Sequence, residues 1–384
     1  METQQVMLWN LPEFPIIGPT APVYNKSPLP PLELPPMRFA NNSIVDNVPG
    51  DMWDMVDPFW YQFPPIPSIF NDIIGLLTLV LGIISVVGNS VVMYVFLCTR
   101  NLRTPSNMII VNLAFSDFLM MASMFPFMAI SCFYETWVFG SLMCELHGFF
   151  GAWSGCMSIW SMTLIAIDRF NVIVRGIGAK PLTFKKVYTM IAAIDGFALF
   201  WSLLPMFGWN KYVPEGNMMV CGGDSISEDW HSRSFLLTTF VYAYCTPLLT
   251  IVFCYSFIVK AVAAHERSMR EQAQKMNVQS LRSGEGNKTS VEVRLAKVAM
   301  MTITLWFLAW TPYAVINFVG MFARHLITPF WTMWGSVFAK FAAVYNPIVY
   351  GISHPRYRAA LRLSKGTNPT KKALLDLLLP FSRP

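Results

Sequence analysis

Seven stretches of this chain are too long and too apolar for an ordinary water-soluble core. They run over about 70–98, 105–132, 143–171, 186–209, 233–261, 291–322 and 328–352. A helix rises 1.5 Å per residue, so each stretch can cross a hydrocarbon layer about 30 Å thick. Backbone groups in lipid must find their hydrogen bonds internally, which leaves helices or closed barrels. A barrel would show short alternating segments instead. The chain therefore reads as an all-α membrane protein, a seven-transmembrane helix bundle in one domain. Its 13% charged residues, against about 25% in soluble domains, agree with that reading.

The positions of Lys and Arg orient the bundle. With the N-terminus outside, 22 of them fall in the three inner connections and the tail, and five on the outer side. The remaining one is Lys340. The net charge of +6 thus reports membrane topology and not nucleic-acid binding. Residues 1–64 are proline-rich ("SPLPPLELPP") and without helical periodicity, and are expected to form an extended outer tail. No cleavable signal peptide is evident in "METQQVMLWNLPEF". Asn41 begins a glycosylation sequon in the tail, and residues 366–384 form a short inner tail after a seven-helix domain spanning 65–365. Of seven cysteines, Cys144 and Cys221 lie clearly on the oxidising side, so a bridge between them is expected. Cys132, near the top of the second span, is a competitor. No metal-ligand constellation stands out.

Lys340 sits alone in "SVFAKFAAVYNPIVYG", about 12 residues and roughly 18 Å from either end of its span. Its stem is too short to reach the interface, and a charged Lys at mid-depth costs about 2.5–3.5 kcal/mol. It is either one half of a buried salt bridge or an amine condensed with an aldehyde as a Schiff base. Six residues on, "NPIVY" (Asn346, Pro347, Tyr350) puts an amide and a helix-bending proline in the same span. Asp117 in "NLAFSD" and Asn89 in "VVGNSVV" add polar groups on two further helices, suggesting one internal network. At the inner end of the third span stands "DRF", Asp168-Arg169-Phe170. Neighbouring residues on a helix do not face one another, so Arg169 is expected to seek Glu292 at the base of the sixth.

Together, Gly88-Asn89, "NLAFSD", Cys144 with "DRF" 24 residues later, Cys221, Pro247 with Tyr255, "WFLAWTPY" and "NPIVY" resemble the rhodopsin-like (class A) G-protein-coupled receptors. The lysine six residues before Asn346 narrows the resemblance to opsins. "WYQFPP", "ETWVFG", "YVPEG" and "AAHERSMREQAQKMNVQSLRS" look like arthropod visual opsins of long- or middle-wavelength type.

The resemblance implies a receptor, not an enzyme, with a short amphipathic eighth helix around "HPRYR". Retinal, 11-cis or an analogue such as 3-hydroxyretinal, would be held on Lys340 as a protonated Schiff base. Glu215 of "VPEG" would be the counterion, and Gly155, Cys156, Tyr244, Trp310, Tyr313 and Ser336 would surround the polyene. Asp168, Arg169, Glu292, Asp117, Tyr255, Asn346, Pro347 and Tyr350 would form the activation switch. A Gq-class G protein and arrestin would be partners, in the microvillar (rhabdomeric) plasma membrane of a photoreceptor. Two residues depart from the pattern. His147, counted with the chromophore-binding residues, stands where vertebrate visual opsins place a Glu counterion and arthropod ones usually a Tyr, and would either donate to or repel the Schiff base; Asp195 stands where the family almost always has Trp. A light-driven pump would need more carboxylates along the third span. A retinal photoisomerase, or a receptor of the same fold that ignores light, remains the alternative.

Overall fold

The computed structural model describes residues 43–178, 180–275, 285–353 and 357, without the side chains of 177, 273, 285–292 and 350–353. Asn41, the Glu292 and Tyr350 side chains, most of the proposed eighth helix and the 366–384 tail lie outside the described residues.

Seven long helices follow in order: Ser68–Cys98, Pro105–Phe133, Gly140–Phe170, Phe184–Leu203, a fifth in two parts, Glu285–Ala323 and Pro329–Ser353. The fifth runs from Trp230–Phe240 through a π turn at Val241–Cys245 into Thr246–Lys275. Their starts follow local chemistry. Thr104 and Thr183 accept hydrogen bonds from the amides of Asn107 and Lys186, and Asp229 from that of Ser232 at 2.8 Å. The Ser232 amide holds the Asp229 carboxyl below its usual range. Among the described residues, six helices are long and apolar enough to cross a membrane on length and composition. The seventh, interrupted by Lys340 and Asn346, packs against the sixth, the first and the second. At the first helix the approach is close: a Cβ on Gly88 would meet Pro347 Cγ at 2.8 Å.

One end of the bundle is closed by a lid. Strand β1 (Tyr212–Pro214) pairs antiparallel with β2 (Cys221–Gly223), with Pro214 opposite Cys221. Cys144 at the start of the third helix is bonded to Cys221, while Cys132 is a buried free thiol, which settles the choice between them. The Trp137 amide donates to Met218 O at 2.6 Å and ties the lid to the second connection as well.

One expectation needs correction here. The extended tail was placed through residue 64, yet residues 43–63 fold. Two short 3-10 turns, Gly50–Met55 and Pro58–Gln62, bury Met52 and Trp60. The Ile44 amide closes the segment on Phe63 O at 2.9 Å. Trp60 lies against Gly216 of the lid, where no Cβ would fit. Arg324 bonds Glu228 at 3.1 Å and Asp57 at 3.9 Å, fastening the segment to the connection after the sixth helix. Proline suppresses helical periodicity but not burial, so this apolar cap carried no periodic signal.

Candidate functional site

Under the lid lies a mostly apolar cavity of about 220 Å³. The third helix opens one side of it. Gly148, Gly151 and Gly155 recur at i, i+3 and i+7, one helical face without side chains, and all three line the cavity. At Gly155 the vacated space is taken by Trp310, whose Cη2 would stand 2.9 Å from an added Cβ. Trp310 stacks on Trp306 with centroids 5.3 Å apart and meets Tyr313 edge-on. Across the cavity, the Tyr244 hydroxyl pairs with Thr311 Oγ1 at 2.7 Å, joining the fifth helix to the sixth.

Lys340 enters this cavity from the seventh helix with 5% exposure, its Nζ donating to Ser336 O at 3.2 Å. Ser336, one turn earlier, gives its hydroxyl to Glu215 Oε2. Tyr313 donates to the other carboxylate oxygen at 2.9 Å. Glu215 sits in the tight turn between β1 and β2, its amide on Val220 O at 2.8 Å. The disulfide and the strand pair therefore aim this carboxylate down into the bundle. Burial pushes its pKa up, while the bond from Ser336, the Lys340 charge and the bond from Tyr313 pull it back. Among the described residues no carboxylate lies within 4.0 Å of Lys340 Nζ. Glu215 and Lys340 meet through Ser336.

Of the residues singled out from sequence, Lys340, Glu215, Gly155, Cys156, Tyr244, Trp310, Tyr313 and Ser336 all line this one cavity. His147 does not. It is buried beside the cavity with Nδ1 3.0 Å from Cys221 O. Sequence reasoning missed Tyr212, whose ring covers Gly148 and whose hydroxyl donates to Ser202 O at 2.7 Å. It also missed Gly148 and Gly151, although their spacing with Gly155 was there to be read.

At mid-bundle the structure joins Asp117 to Asn346, while Asn89 bonds Ser85 and the backbone of the seventh helix and neither of those two side chains. Asp117 accepts from Asn346 Nδ2 on one oxygen and from Ser158 Oγ at 3.2 Å on the other. Asn89 Nδ2 reaches Ala343 O on the seventh helix at 2.9 Å. Farther along, the Tyr255 hydroxyl donates to Ala296 O at 3.2 Å, joining fifth helix to sixth. Asp195 is accommodated where Trp was expected: Asn112 Nδ2 donates to it and to Ser161 Oγ, each at 3.0 Å.

One part of the "DRF" reading is corrected, the part that kept Arg169 away from Asp168; the Glu292 side chain lies outside the described residues. Arg169 was expected to ignore its neighbour, yet its Nη2 bonds Asp168 Oδ2. The facing rule compares Cβ directions. A guanidinium on a long stem at a helix end can reach back around the axis. Asp168 is further held by Ser106 Oγ at 3.2 Å.

A seven-helix bundle enclosing a lidded apolar cavity, with a buried amine inside it, fits a membrane receptor. Comparison with known proteins agrees. Residues 88–350 match the family described as 7 transmembrane receptor (rhodopsin family). The chain is 58% identical to "Rhodopsin" of Camponotus atriceps, over 84% of this chain and 85% of that one. It is 55% identical to "Rhodopsin, long-wavelength" of Apis mellifera, over 84% and 86%. It superposes on the crystal structure of squid rhodopsin with a TM-score of 0.76 at 35% identity, covering 86% of this chain and 96% of that one. The chain belongs to the rhodopsin family of seven-transmembrane receptors, among its arthropod opsins.

Proposed function

We propose that this chain is a light receptor that holds retinal on Lys340 as a protonated Schiff base, with Glu215 as counterion. The observation that carries the reading is the lone buried amine of Lys340 in an apolar cavity, facing a carboxylate that a disulfide-pinned lid lowers toward it. The cavity fits such a group. It is a mostly apolar slot lined by Gly148, Gly151 and Gly155 of the third helix and walled by Trp310 and Tyr244, and Lys340 lines it too. Bound there, retinal (11-cis, or an analogue such as 3-hydroxyretinal) would supply visible absorption and a light-driven change of shape.

The protein's own groups do the rest. Glu215, held by Tyr313 and Ser336, balances a positive charge that an apolar site could not otherwise keep. Trp310 lies against the slot just before Pro312, where the sixth helix can pivot. Displacing Trp310 moves that helix and loosens the Tyr255–Ala296 contact at its far end. The crevice between Arg169 and Leu295–Ala299 is now only about 30 Å³, too small for a partner helix. Outward motion of the sixth helix would open it to the C-terminal helix of a G-protein α subunit, read here as Gq class, with arrestin competing later. Arg169–Glu292 remains the proposed latch, with Tyr350 as its active-state partner. The disulfide end faces outward, Asn41 carries glycan, and the receptor resides in rhabdomeric plasma membrane.

The test is the absorption spectrum of the purified protein with 11-cis retinal, before and after light, together with nucleotide exchange on a Gq-class protein. A visible band that light converts supports the reading. No band, or photoconversion with no exchange, removes the receptor function and favours photoisomerase or light-independent alternatives.

A further inference from the structure

One wall of the cavity carries polar side chains that the mechanism does not use. Lys340 and Ser336 enter from the seventh helix, which packs on the sixth, the first and the second. The fourth and fifth helices, packed on the second, third and sixth, build another wall, where Ser202 and Thr239 line the cavity.

Thr239 is held in a fixed orientation. Trp201 Nε1 donates to its Oγ1 at 2.9 Å, and the Trp201 indole stacks on Phe235 with centroids 5.9 Å apart and planes 18° from parallel. A hydroxyl that accepts one bond still has its own hydrogen to give. Thr238, one residue earlier, uses that hydrogen on Ser234 O at 2.6 Å. Among the described residues no acceptor takes the Thr239 hydrogen. Asn317 of the sixth helix lines the cavity near by: Phe240 and Phe318, the residues that follow Thr239 and Asn317, meet with centroids 5.4 Å apart. Ser202 is 1% exposed, and its Oγ is buried with no hydrogen-bond partner.

A pure hydrocarbon gives these groups nothing to bond. Covering an uncommitted hydroxyl with apolar surface costs its water contacts and returns no hydrogen bond. An aldehyde condensed on Lys340 has its reacting end at the seventh helix, so its ring is the part that reaches the wall of the fourth and fifth. We propose that Thr239 selects a chromophore with a hydroxyl on that ring, 3-hydroxyretinal in preference to unsubstituted retinal. The Thr239 hydroxyl donates to the ring oxygen. The Asn317 amide oxygen and Ser202 Oγ are acceptors in the same wall for the hydrogen of the ring hydroxyl. The inference rests on the Schiff-base reading above, because attachment at Lys340 is what sends the ring to this wall. The preference acts away from Glu215 and Lys340, so it changes which aldehyde is held and leaves the charge balance at the nitrogen alone.

The experiment gives dark, purified protein an excess of an equimolar mixture of 11-cis retinal and 11-cis 3-hydroxyretinal. The bound chromophore is then extracted and its ratio measured by chromatography, for the wild type, Thr239→Val and Thr239→Ser. The wild type should hold the hydroxylated form in roughly two- to ten-fold excess, the worth of one neutral hydrogen bond. Val keeps the branched shape without the hydroxyl and should bring the ratio close to one. Ser keeps the hydroxyl and should restore the excess. Val also takes the acceptor from the Trp201 indole, but that loss falls on both aldehydes alike and lowers yield, not ratio. Should Val fail to assemble, Thr239→Ala is read in its place. A wild-type ratio of one or less overturns the proposal, and so does a wild-type excess that Val leaves unchanged. No visible band with either aldehyde overturns the Schiff-base reading as well; bands with both and no preference overturn this one alone.

Discussion

Replacing Glu215 by Gln isolates the counterion charge from the architecture of the lid. The amide keeps an oxygen for one of Tyr313 and Ser336, and its NH2 can donate to the Ser336 hydroxyl in place of the other bond. The β1–β2 turn depends on backbone bonds and the disulfide, which the substitution leaves alone. What disappears is one negative charge, separated from the lysine nitrogen by the width of one serine. At about 6 Å and an effective dielectric of ~20, two unit charges attract by about 2.8 kcal/mol. That is about two pKa units, at 1.36 kcal/mol each. The sign follows from the charge: a carboxylate favours the protonated nitrogen, so its loss lowers the proton affinity and the visible band fades into the ultraviolet at lower pH. Dark titration of both purified pigments, following the visible and ultraviolet bands, gives the two midpoints directly. A Gln midpoint within half a unit of the wild type would refute the assignment, because no placement of Glu215 beside Ser336 leaves its charge without effect.

Other substitutions test the remaining parts. Lys340→Ala should give no visible band with retinal while still reaching the membrane; a normal band would rule out the attachment. Gly155→Val puts two methyl groups where even a Cβ stands 2.9 Å from Trp310, and should cut pigment yield at least several-fold at equal expression. Cys144→Ser opens a bridge between residues 77 apart, for which a loss of about 2–5 kcal/mol is expected, read as a lower thermal midpoint and failure to fold at growth temperature. Arg169→Ala should abolish light-driven inositol phosphate release, and a wild-type response through cyclic AMP alone would remove Gq while leaving the photoreceptor intact.

How much of this was readable in advance depended on whether a residue's role is local. Span length and charge placement are properties of continuous segments, and the helices appear within about six residues of where hydropathy puts them, except that the fifth runs on past the apolar stretch to Lys275. Lys340 was conspicuous because charge is costly at mid-membrane wherever the chain goes. The glycine face of the third helix is equally local, but what fills it (Tyr212, Met124 and Trp310) comes from other elements. By contrast, the cap over residues 43–63 depends on Trp60 meeting Gly216, far along the chain, and no periodicity announces that. The Asp168–Arg169 pair failed for a different reason: a rule about Cβ directions was applied to a side chain long enough to evade it. His147 could be flagged as unusual from sequence, but its contact with Cys221 O depends on the lid being folded over the third helix.

The seventh helix joins these parts physically. Ser336, Lys340, Ala343 and Pro347 follow one another at i, i+4, i+7 and i+11, so they form a single stripe along one face. The upper end of that stripe holds Glu215 through the Ser336 hydroxyl and the lysine nitrogen through the Ser336 carbonyl. Its lower end accepts from Asn89 at Ala343 O, fits Pro347 against Gly88, and sends Asn346 to Asp117. A shift of this helix at Lys340 cannot be confined to the cavity. It must either stretch the bonds to the first and second helices or be absorbed at Pro347, where the helix lacks one backbone hydrogen bond. The proline lies on the far side of the polar network from the lysine, so the network feels the displacement before the bend relieves it. Charge balance in the cavity and the hydrogen bonds at mid-bundle are thus two readings of the same helix position, which is what a ligand-driven switch requires.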